Sequence, residues 1–369
     1  MRMKAVVFDG PGRDLVLTEL EIDEPRATEV RVRITAAGIC HSDYRVLAGE
    51  WGAATPLVLG HEGAGIVEAV GDAVQGLEVG DTVALSWTPN CGRCRYCVSG
   101  RPQLCQSAVA HAYRNVLPDG TTRLSRAGEP VYSYLSVGSF AEYAVVPESG
   151  AVKIDAGIDP AIAAVVGCAV TTGVGAAVNT RPVSVGENVL VIGAGGVGLS
   201  VIMGAGLQSP GRLIAVDVVE SKLQLAKEFG ATDTIDATAC DVVEAVRELT
   251  GGRGVDVAFE ASGRAVGVEQ AYASLAAGGT AVVVGQVATG ERISIDPMAM
   301  SGRELTLTGS NYGSARPSVD FARILGLYQR GLLPLDRLVT DRVRPEQLNE
   351  AFRAMGRGAT EGRWVVRFP

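Results

Sequence analysis

Two different patterns of hydrophobic and polar positions divide the chain. In its first part, short apolar segments are separated by Gly, Pro and Asp, without a long run of helical periodicity. This pattern predicts a compact β-rich domain that extends from Lys4 to about Val152. The expected strands in this domain are Ala5–Phe8, Val30–Ala36, Gly65–Val70 and Ala141–Val146.

From about Asn188, apolar strands alternate with segments of helical length such as Lys222–Phe229 and Asp241–Leu249. Six apolar strands joined by helical crossovers are typical of a doubly wound parallel sheet, so the second part is predicted to be α/β. The expected strands are Val189–Ile192, Leu213–Val216, Asp233–Ile235, Val255–Phe259, Ala281–Val284 and Leu305–Thr308. The tail adds the expected helices Val319–Gln329 and Pro345–Met355 and the strand Trp364–Phe368.

Composition narrows the class of protein. The chain has 369 residues, more than one hydrophobic core usually organises, and 47% of them are hydrophobic, so two folded domains are expected. A net charge of −8 argues against a nucleic-acid partner, because phosphate binding needs a basic surface. We expect no membrane span and no signal sequence, since no apolar run is expected to reach the roughly 20 residues required. The expected location is therefore the cytoplasm.

A glycine-rich turn, Gly193-Ala194-Gly195-Gly196-Val197-Gly198, follows the expected strand Val189–Ile192 and precedes a helix-compatible segment. Gly193 permits the tight turn, Gly195 lets the backbone approach a pyrophosphate, and Gly198 allows close packing of helix on strand. The strand, turn and helix together predict a dinucleotide whose pyrophosphate lies at the helix N-terminus.

An acidic residue stands at the end of the next strand. Asp217 comes nineteen residues after Gly198, close to the spacing at which a carboxylate accepts hydrogen bonds from the adenosine ribose. The same carboxylate would repel a 2′-phosphate, and no Arg directly follows it. The sequence therefore predicts NAD rather than NADP.

Four of the seven cysteines, Cys91, Cys94, Cys97 and Cys105, lie within fifteen positions. Short Cys-x2-Cys steps let a turning loop aim its sulfurs at one ion, and zinc accepts four thiolates in a tetrahedron. Disulfides and an iron–sulfur cluster are the alternatives. The last gap of seven residues, followed by Gln106, differs from the ferredoxin pattern, so a structural zinc is expected.

A Cys and a His suggest a second metal site. Cys40 and His61 are twenty-one residues apart, each next to a strand-like segment. A thiolate and an imidazole are two of the three protein ligands that a catalytic zinc needs. At this distance the two are often unrelated, however, and spacing does not locate a third ligand. Cys168 is a candidate, although a lone cysteine in an apolar run is usually an inert core thiol.

Several motifs together carry a resemblance to a known family. Residues 60–74 resemble the zinc-binding signature of the zinc-dependent medium-chain alcohol dehydrogenases, a branch of the medium-chain dehydrogenase/reductase superfamily. The four-cysteine segment, residues 167–173 and the glycine-rich turn follow in the order of that family and at close to its spacing. The similarity covers nearly the whole chain.

The resemblance implies a fold and two zinc ions per chain. A β-rich, GroES-like catalytic domain would hold residues 1–170 and 313–369, with a structural zinc lobe at about 88–108. A Rossmann domain for NAD would hold residues 171–312. The implied ligands are Cys40, His61 and Cys168 for a catalytic zinc, and Cys91, Cys94, Cys97 and Cys105 for a structural zinc. The implied activity is hydride transfer between an alcohol, activated by zinc as a Lewis acid, and NAD.

The resemblance also assigns roles to neighbours of the catalytic zinc. Ser42 takes the proton from the alcohol, Asp43 orients His61 through its second nitrogen, and Glu62 lies behind the metal. Arg45 stands where many relatives carry the histidine that ends the proton relay. Because a guanidinium cannot accept a proton, the proton would have to leave through water or another base.

Further positions match cofactor contacts in relatives. Thr172 and Val197 match residues that pack on the nicotinamide. His41 matches a basic residue on the pyrophosphate, and Lys222 one on the adenosine ribose. The C-terminal pattern Arg363–Arg367 is shifted, so the resemblance leaves open which arginine contacts phosphate.

Three aromatic residues, Trp51, Trp87 and Tyr134, match positions that line the alcohol pocket in relatives. Aromatic walls bury flat apolar ligands well, so aromatic or medium-chain primary alcohols, or the corresponding aldehydes, are the expected substrates. Bulky rings could instead restrict the pocket to ethanol-sized substrates. Another alternative is a formaldehyde dehydrogenase that acts on a thiol adduct.

Other readings receive less support from the sequence. A non-catalytic relative that only binds zinc and NAD would be favoured by loss of a catalytic ligand, and none is lost. The zinc-free quinone reductases lack both cysteine sets, and Cys240 fits neither site. Relatives with a segment like that around 110–139 are often homodimers joined through strands near Ala281–Val284 and Leu305–Thr308, and tetramers also occur.

Overall fold

The computed structural model describes residues 1–368, which fall into two compact units. The first unit comprises residues 1–168, Arg316–Gly331 and the chain from Leu335 onwards. The second unit comprises Ala169–Ala315 and Leu332–Pro334.

The first unit is built from a small barrel and a larger sheet. The barrel consists, in spatial order, of Arg2–Phe8, Val16–Ile22, Leu124–Arg126, Glu129–Ser133 and Leu57–Val58. The seven-stranded sheet runs in the order Ala151–Lys153, Thr82–Leu85, Glu62–Val70, Glu29–Gly38, Arg363–Arg367 and Val339–Val343, with Tyr143–Pro147 also paired to Glu29–Gly38.

The strand Glu29–Gly38 determines which residues meet at the end of this sheet. Its antiparallel neighbours place Glu62 opposite Gly38 on one side and Val365 opposite Gly38 on the other. A Cβ atom on Gly38 would lie 1.9 Å from the Glu62 carboxylate, so a side chain at this position is excluded sterically. Cys40 lies two residues after Gly38, His61 directly before Glu62, and Arg363 two residues before Val365. The pairing therefore brings these three residues to one end of the sheet.

The first unit contains seven α-helices within residues 1–368. They are His41–Leu47, Arg95–Val98, Gln106–His111, Pro160–Val165, Pro317–Gln329, Leu335–Leu338 and Leu348–Gly356. The sequence predicted the last two long helices of the tail to within a few residues. It did not predict His41–Leu47, because that short helix has no extended apolar period.

The second unit is a six-stranded parallel sheet. Its spatial order is Asp233–Asp236, Arg212–Asp217, Asn188–Ile192, Val255–Glu260, Leu275–Val283 and Thr306–Gly309. Numbered along the unit, this order is 3-2-1-4-5-6, which is typical of a dinucleotide-binding sheet. The helices of the unit are Thr171–Gly175, Gly196–Gly206, Glu220–Glu228, Val242–Leu249, Ala265–Ala273 and Pro297–Gly302.

Apolar side chains from the strands and their crossover helices form the core of the second unit. Leu190, Ile214 and Val255 are fully buried in it, together with Val246 from a helix. All five residues of Asn188–Ile192 are buried, as expected for a central parallel strand with both faces covered. All six strands expected from the sequence are present, with ends that differ by one to a few residues except at the N-terminal end of Leu275–Val283.

One apolar segment corrects an expectation from the sequence. The continuous helical segment Pro160–Thr180, which includes two π-helical turns, is 21 residues long and apolar enough to cross a membrane. The expectation that no apolar run reaches this length was wrong. In the structure, 89% of its most apolar window is buried, which is typical of a core helix.

A buried ion pair connects the barrel to the larger sheet. Arg123 donates to both carboxylate oxygens of Glu29, at 2.9 and 2.5 Å, and both side chains are buried. Arg123 also bonds Asp119 at 2.6 Å. Burial opposes the ionisation of Asp119, but its hydrogen bonds with Arg123 and Thr121 lower the pKa of that carboxyl to about 2.

We expect the substitution Arg123→Met to lower the free energy of unfolding by about 3–5 kcal/mol, because Glu29 would remain buried without its cation. Arg2→Ala is the matched control, since the Arg2–Glu19 pair is largely exposed and such pairs contribute about 0–1 kcal/mol. Urea unfolding followed by circular dichroism measures both variants. Equal losses in the two would contradict the assignment.

Candidate active site and metal centres

The ends of three strands and a helix bring together one group of buried ligand atoms. Cys40, His61, Glu62 and Cys168 each place a ligand atom within 4.8 Å of the others, and all four are buried. Cys40 comes directly before the helix His41–Leu47, and Cys168 lies in the first π-helical turn of the long apolar helix. Cys40, His61 and Cys168 are the three ligands that the resemblance implied for a catalytic zinc, and Glu62 is the residue expected behind the metal.

The Asp43 carboxylate contacts both Cys40 and His61. It accepts hydrogen bonds from the backbone N–H of Cys40 at 3.2 Å and of Gly60 at 2.9 Å. The same carboxylate lies 3.3 Å from Nδ1 of His61. This contact turns Nε2 of His61 away from Asp43, as in many metal-binding histidines.

The remaining nitrogen of His61 indicates that the site binds a metal. Nε2 is buried and has no hydrogen-bond partner within residues 1–368, while the Cys40 thiol lies beside it. A buried imidazole nitrogen without a partner is costly, and a metal ion would satisfy it. The donors present, two sulfurs and one nitrogen, fit zinc with one position left open.

The thiols of Cys40 and Cys168 shift each other's pKa in opposite directions. The neighbouring Cys168 thiol lowers the pKa of Cys40 despite its burial, and the charges of Arg363 and His61 lower it further. The Cys40 sulfur and burial in turn raise the pKa of Cys168. Both sulfurs can therefore be thiolates together only beside a cation, and a divalent ion neutralises the pair.

Arg363 is part of this site, which the sequence analysis did not predict. Its guanidinium donates to Glu62 at 2.7 Å and lies 3.4 Å from the Cys40 sulfur, and its side chain is buried. Burial raises the pKa of Glu62 to about 7 even though Arg363 opposes that shift. Arg363 thus balances the carboxylate next to the ligands, whereas Arg367 is half-exposed near Asp159. The one feature of the sequence that could have indicated this role of Arg363 is its position at the start of the apolar strand Arg363–Arg367.

One aromatic side chain packs directly on a ligand, and a second lies in a neighbouring segment. The buried Tyr134 packs its ring edge-on against His61, with centroids 5.5 Å apart. Trp87 follows Leu85, which packs on Gly63 and Gly167, and its ring contacts Tyr113 edge-on at 6.4 Å.

Trp51 and Arg45 form a separate contact in the same unit. The Arg45 guanidinium lies 5.6 Å from the ring centroid of Trp51 and bonds Glu50 at 2.5 Å. Ser42 is the second residue of the helix His41–Leu47, and its Oγ lies 3.7 Å from the Cys40 sulfur.

The second group of ligands consists of Cys91, Cys94, Cys97 and Cys105, whose sulfurs lie within 4.8 Å of one another. Backbone N–H groups of Cys97 and Gln106 lower the pKa of Cys94 to about 6. Burial and the neighbouring sulfurs of Cys94 and Cys105 raise the pKa of Cys97 to about 12. Four sulfurs this close cannot all ionise without a cation, so the donor set fits a closed zinc site. Cys240 lies apart from both groups and is exposed.

The glycine-rich turn lies at the end of the strand Asn188–Ile192. Gly193 has φ of +94°, and a Cβ on Gly198 would lie 1.7 Å from the Gly193 carbonyl oxygen. No atom lies within 4 Å of the position of a Cβ on Gly195, so the backbone is open there to a ligand. The helix Gly196–Gly206 begins directly afterwards. These features match the three glycine roles predicted from the sequence.

Asp217 braces the turn from the neighbouring strand. Its carboxylate accepts hydrogen bonds from the N–H groups of Ala194 at 2.7 Å and of Val218 at 2.8 Å. Lys222 on the helix Glu220–Glu228, Thr172 and Val197 are all half-buried in this unit. His41, in the first unit, is exposed.

Comparison with known proteins agrees with both units. Residues 26–156 match the model of the alcohol dehydrogenase GroES-like domain, and residues 196–330 that of the zinc-binding dehydrogenases. The chain is 38% identical over 363 residues to an S-(hydroxymethyl)glutathione dehydrogenase of Saccharomyces cerevisiae, which covers 96% of this chain and 93% of the relative. It belongs to the zinc-dependent medium-chain alcohol dehydrogenases. Members of this family are oxidoreductases that use zinc and NAD, so the predicted family, fold class and cofactors are confirmed.

Two further relatives differ in the substrates that their names give. An NDMA-dependent alcohol dehydrogenase of Amycolatopsis methanolica is 38% identical over 362 residues, covering 97% of each chain. The crystal structure of a benzyl alcohol dehydrogenase from Acinetobacter calcoaceticus is 32% identical, with a TM-score of 0.95 and full coverage of both chains. The family is therefore established, whereas these names do not agree on a substrate.

Metal analysis of the full-length protein should find about two zinc ions per chain. Cys40→Ser and Cys94→Ser should each lower the content to about one, because each removes a ligand from a different group. Cys240→Ser is the matched control and should retain both ions, since its sulfur lies in neither group. A Cys40→Ser variant that keeps two ions after gel filtration would contradict the assignment.

Proposed function

We propose that this protein catalyses the reversible NAD-dependent oxidation of aromatic or medium-chain primary alcohols to aldehydes. The observation that carries the proposal is the buried group of Cys40, His61 and Cys168, in which Nε2 of His61 has no partner within residues 1–368. Three such donors leave one position of a zinc ion for a substrate.

The chemistry divides between the cofactors and the chain. Bound zinc supplies Lewis acidity that makes an alcohol proton more acidic, and NAD supplies the hydride acceptor. Asp43 holds the orientation of His61, and Arg363 compensates the charge of Glu62 beside the ligands. Ser42 accepts the alcohol proton at Oγ as its own hydroxyl proton leaves for a neighbouring acceptor, which would be the ribose of a bound cofactor.

The proton does not continue from Ser42 through Arg45. The guanidinium of Arg45 has no acceptor atom and is engaged by Glu50 and by the ring of Trp51. The proton therefore leaves through water or another base. Thr172, Val197, His41 and Lys222 contact the cofactor in this proposal, as the resemblance implies.

Aromatic side chains support the substrate class. Tyr134 lies against His61, and Trp87 extends from a segment that packs on the neighbours of Glu62 and Cys168. Together with Trp51, they provide flat apolar surface suited to a benzyl group or an alkyl chain. The high structural similarity to a benzyl alcohol dehydrogenase points in the same direction.

A second candidate is the oxidation of a thiol adduct of formaldehyde. The 38% identity to an S-(hydroxymethyl)glutathione dehydrogenase over almost the whole chain favours it. A glutathione adduct carries two carboxylates, which need cationic partners. Arg45, the arginine nearest in sequence to the ligands, already bonds Glu50. We therefore rank the simple alcohol first.

Other features belong to the same proposal. We place the enzyme in the cytoplasm and assign residues 1–170 with 313–369 to catalysis and residues 171–312 to NAD. We also propose a homodimer in which the edge strand Thr306–Gly309 pairs with that of a second copy. The carboxylate of Asp217 favours NAD over NADP.

We expect Ser42→Ala to lower kcat by roughly 10² or more, a typical contribution of a general base. Arg45→Ala should leave kcat within about threefold, because its guanidinium cannot carry the proton. Steady-state kinetics with saturating NAD measures both variants, with zinc content checked in each. Similar losses in the two variants would contradict the proposed proton path.

A substrate panel tests the proposal itself. Benzyl alcohol should give a higher kcat/KM than ethanol, read as the appearance of NADH, because the aromatic side chains bury a ring better than a methyl group. Formaldehyde is assayed with and without glutathione. Every reaction is also repeated in the presence of NDMA, because one relative is named an NDMA-dependent alcohol dehydrogenase. A strong preference for ethanol, or turnover only with formaldehyde and glutathione, would overturn it.

A further inference from the structure

A buried carboxylate stands behind the glycine-rich turn of the second unit. Glu260 is the last residue of the strand Val255–Glu260 and is fully buried. This strand lies directly beside Asn188–Ile192, which ends in the turn. The register places Glu260 opposite Ile192, one residue before Gly193. None of the roles assigned above uses this carboxylate.

One oxygen of Glu260 organises the loop that follows its own strand. Oε1 accepts hydrogen bonds from the N–H of Ser262 at 2.7 Å, the hydroxyl of Ser262 at 2.6 Å and the N–H of Gly263 at 2.8 Å. Three hydrogen bonds to one buried oxygen fix the path of residues 261–263, because buried hydrogen bonds to a carboxylate are strong.

The loop fixed in this way forms the wall against which the turn packs. The N–H of Ala261 donates to the Ile192 carbonyl at 2.8 Å. A Cβ on Gly193 would lie 2.7 Å from the backbone nitrogen of Ser262, so the turn is in direct contact with the loop. Asp217 braces the turn from its other side through the N–H of Ala194. A shift of the loop would therefore change the shape of the turn.

The space around the other oxygen of Glu260 is closed. Oε2 is buried and has no hydrogen-bond partner within residues 1–368. A Cβ on Gly285 would lie 2.7 Å from it, so only glycine fits there. Burial raises the pKa of this carboxyl, in opposition to its hydrogen bonds with Ser262 and Gly263. A carboxylate that is costly to bury and whose hydrogen bonds go to the adjacent loop is suited to a positioning role.

We propose that Glu260 is a positioning residue for the dinucleotide: through the 261–263 loop it holds the Gly193–Gly198 turn in the shape that receives a pyrophosphate. The inference rests on the binding of NAD by this turn. It concerns affinity for the pyrophosphate part of the cofactor rather than the chemistry at zinc, so ADP-ribose should be affected in the same way as NADH.

The test measures binding of NADH and of ADP-ribose to the full-length zinc-loaded protein by isothermal titration calorimetry. Glu260→Ala should weaken both ligands by roughly tenfold or more, the scale expected when buried donors lose a shared acceptor. Glu260→Gln keeps an acceptor oxygen and should stay within about threefold of the parent protein. Zinc content should be unchanged in both.

Asp256 provides a matched control on the same strand. Its carboxylate accepts a hydrogen bond from the N–H of Asn188 at 2.7 Å, so it also bridges to the strand Asn188–Ile192, but at the end remote from the turn. Asp256→Ala should weaken the sheet locally and leave both affinities within about twofold. Thermal unfolding of each variant separates loss of stability from loss of binding.

The outcomes distinguish the inference from the proposed function. Unchanged affinities in Glu260→Ala, equal losses in Asp256→Ala, or a Glu260→Gln variant as weak as Glu260→Ala would each overturn the inference. If Glu260→Ala does not fold, Glu260→Asp takes its place, since its shorter side chain withdraws the oxygen and should weaken binding about fivefold. A parent protein that binds both ligands but oxidises no alcohol would overturn only the proposed function.

Discussion

Buried negative charge is the constraint on which the first unit depends. Cys40, Glu62, Cys168 and Asp43 are buried side by side, where ionised groups are costly unless they are paired. Arg363 balances Glu62, and two backbone N–H groups balance Asp43. The Cys40 sulfur shares Arg363 with Glu62, and it raises the pKa of the neighbouring Cys168 thiol. A divalent cation would reduce this cost, so a metal ion bound here would also complete the local structure.

The second unit depends on close backbone contacts rather than on charge. The glycine-rich turn lies between Asp217 on one side and the 261–263 loop on the other, and side chains at Gly193 or Gly198 would collide with backbone atoms. The open space at Gly195 is where a ligand can reach the backbone. A turn that is held from both sides at the start of a helix is suited to bind a pyrophosphate, because little would have to be reordered on binding.

Local patterns made much of this predictable. The alternation of strands and helices after Asn188 depends on neighbours in sequence, and all six strands were found. The four-cysteine lobe and the glycine motif are also short, so their spacing carries the geometry of the site. The barrel strands Val16–Ile22, Leu124–Arg126 and Glu129–Ser133 were not predicted, since they alternate with charged residues or are very short. The helix Pro160–Thr180 was missed because small residues and glycines conceal its period.

By itself, the sequence determined the family, the fold class and the cofactors, and it predicted the four-cysteine group as a ligand set. The tertiary structure decided what lies far apart along the chain. Spacing could not show that Cys168 meets Cys40 and His61, because the packing of a helix brings it there. It also could not show that Arg363 pairs with Glu62, because strand register and not chain distance brings these two together. It also could not show that Glu260 supports a turn more than sixty residues earlier. Each of these contacts exists only once the sheets have formed.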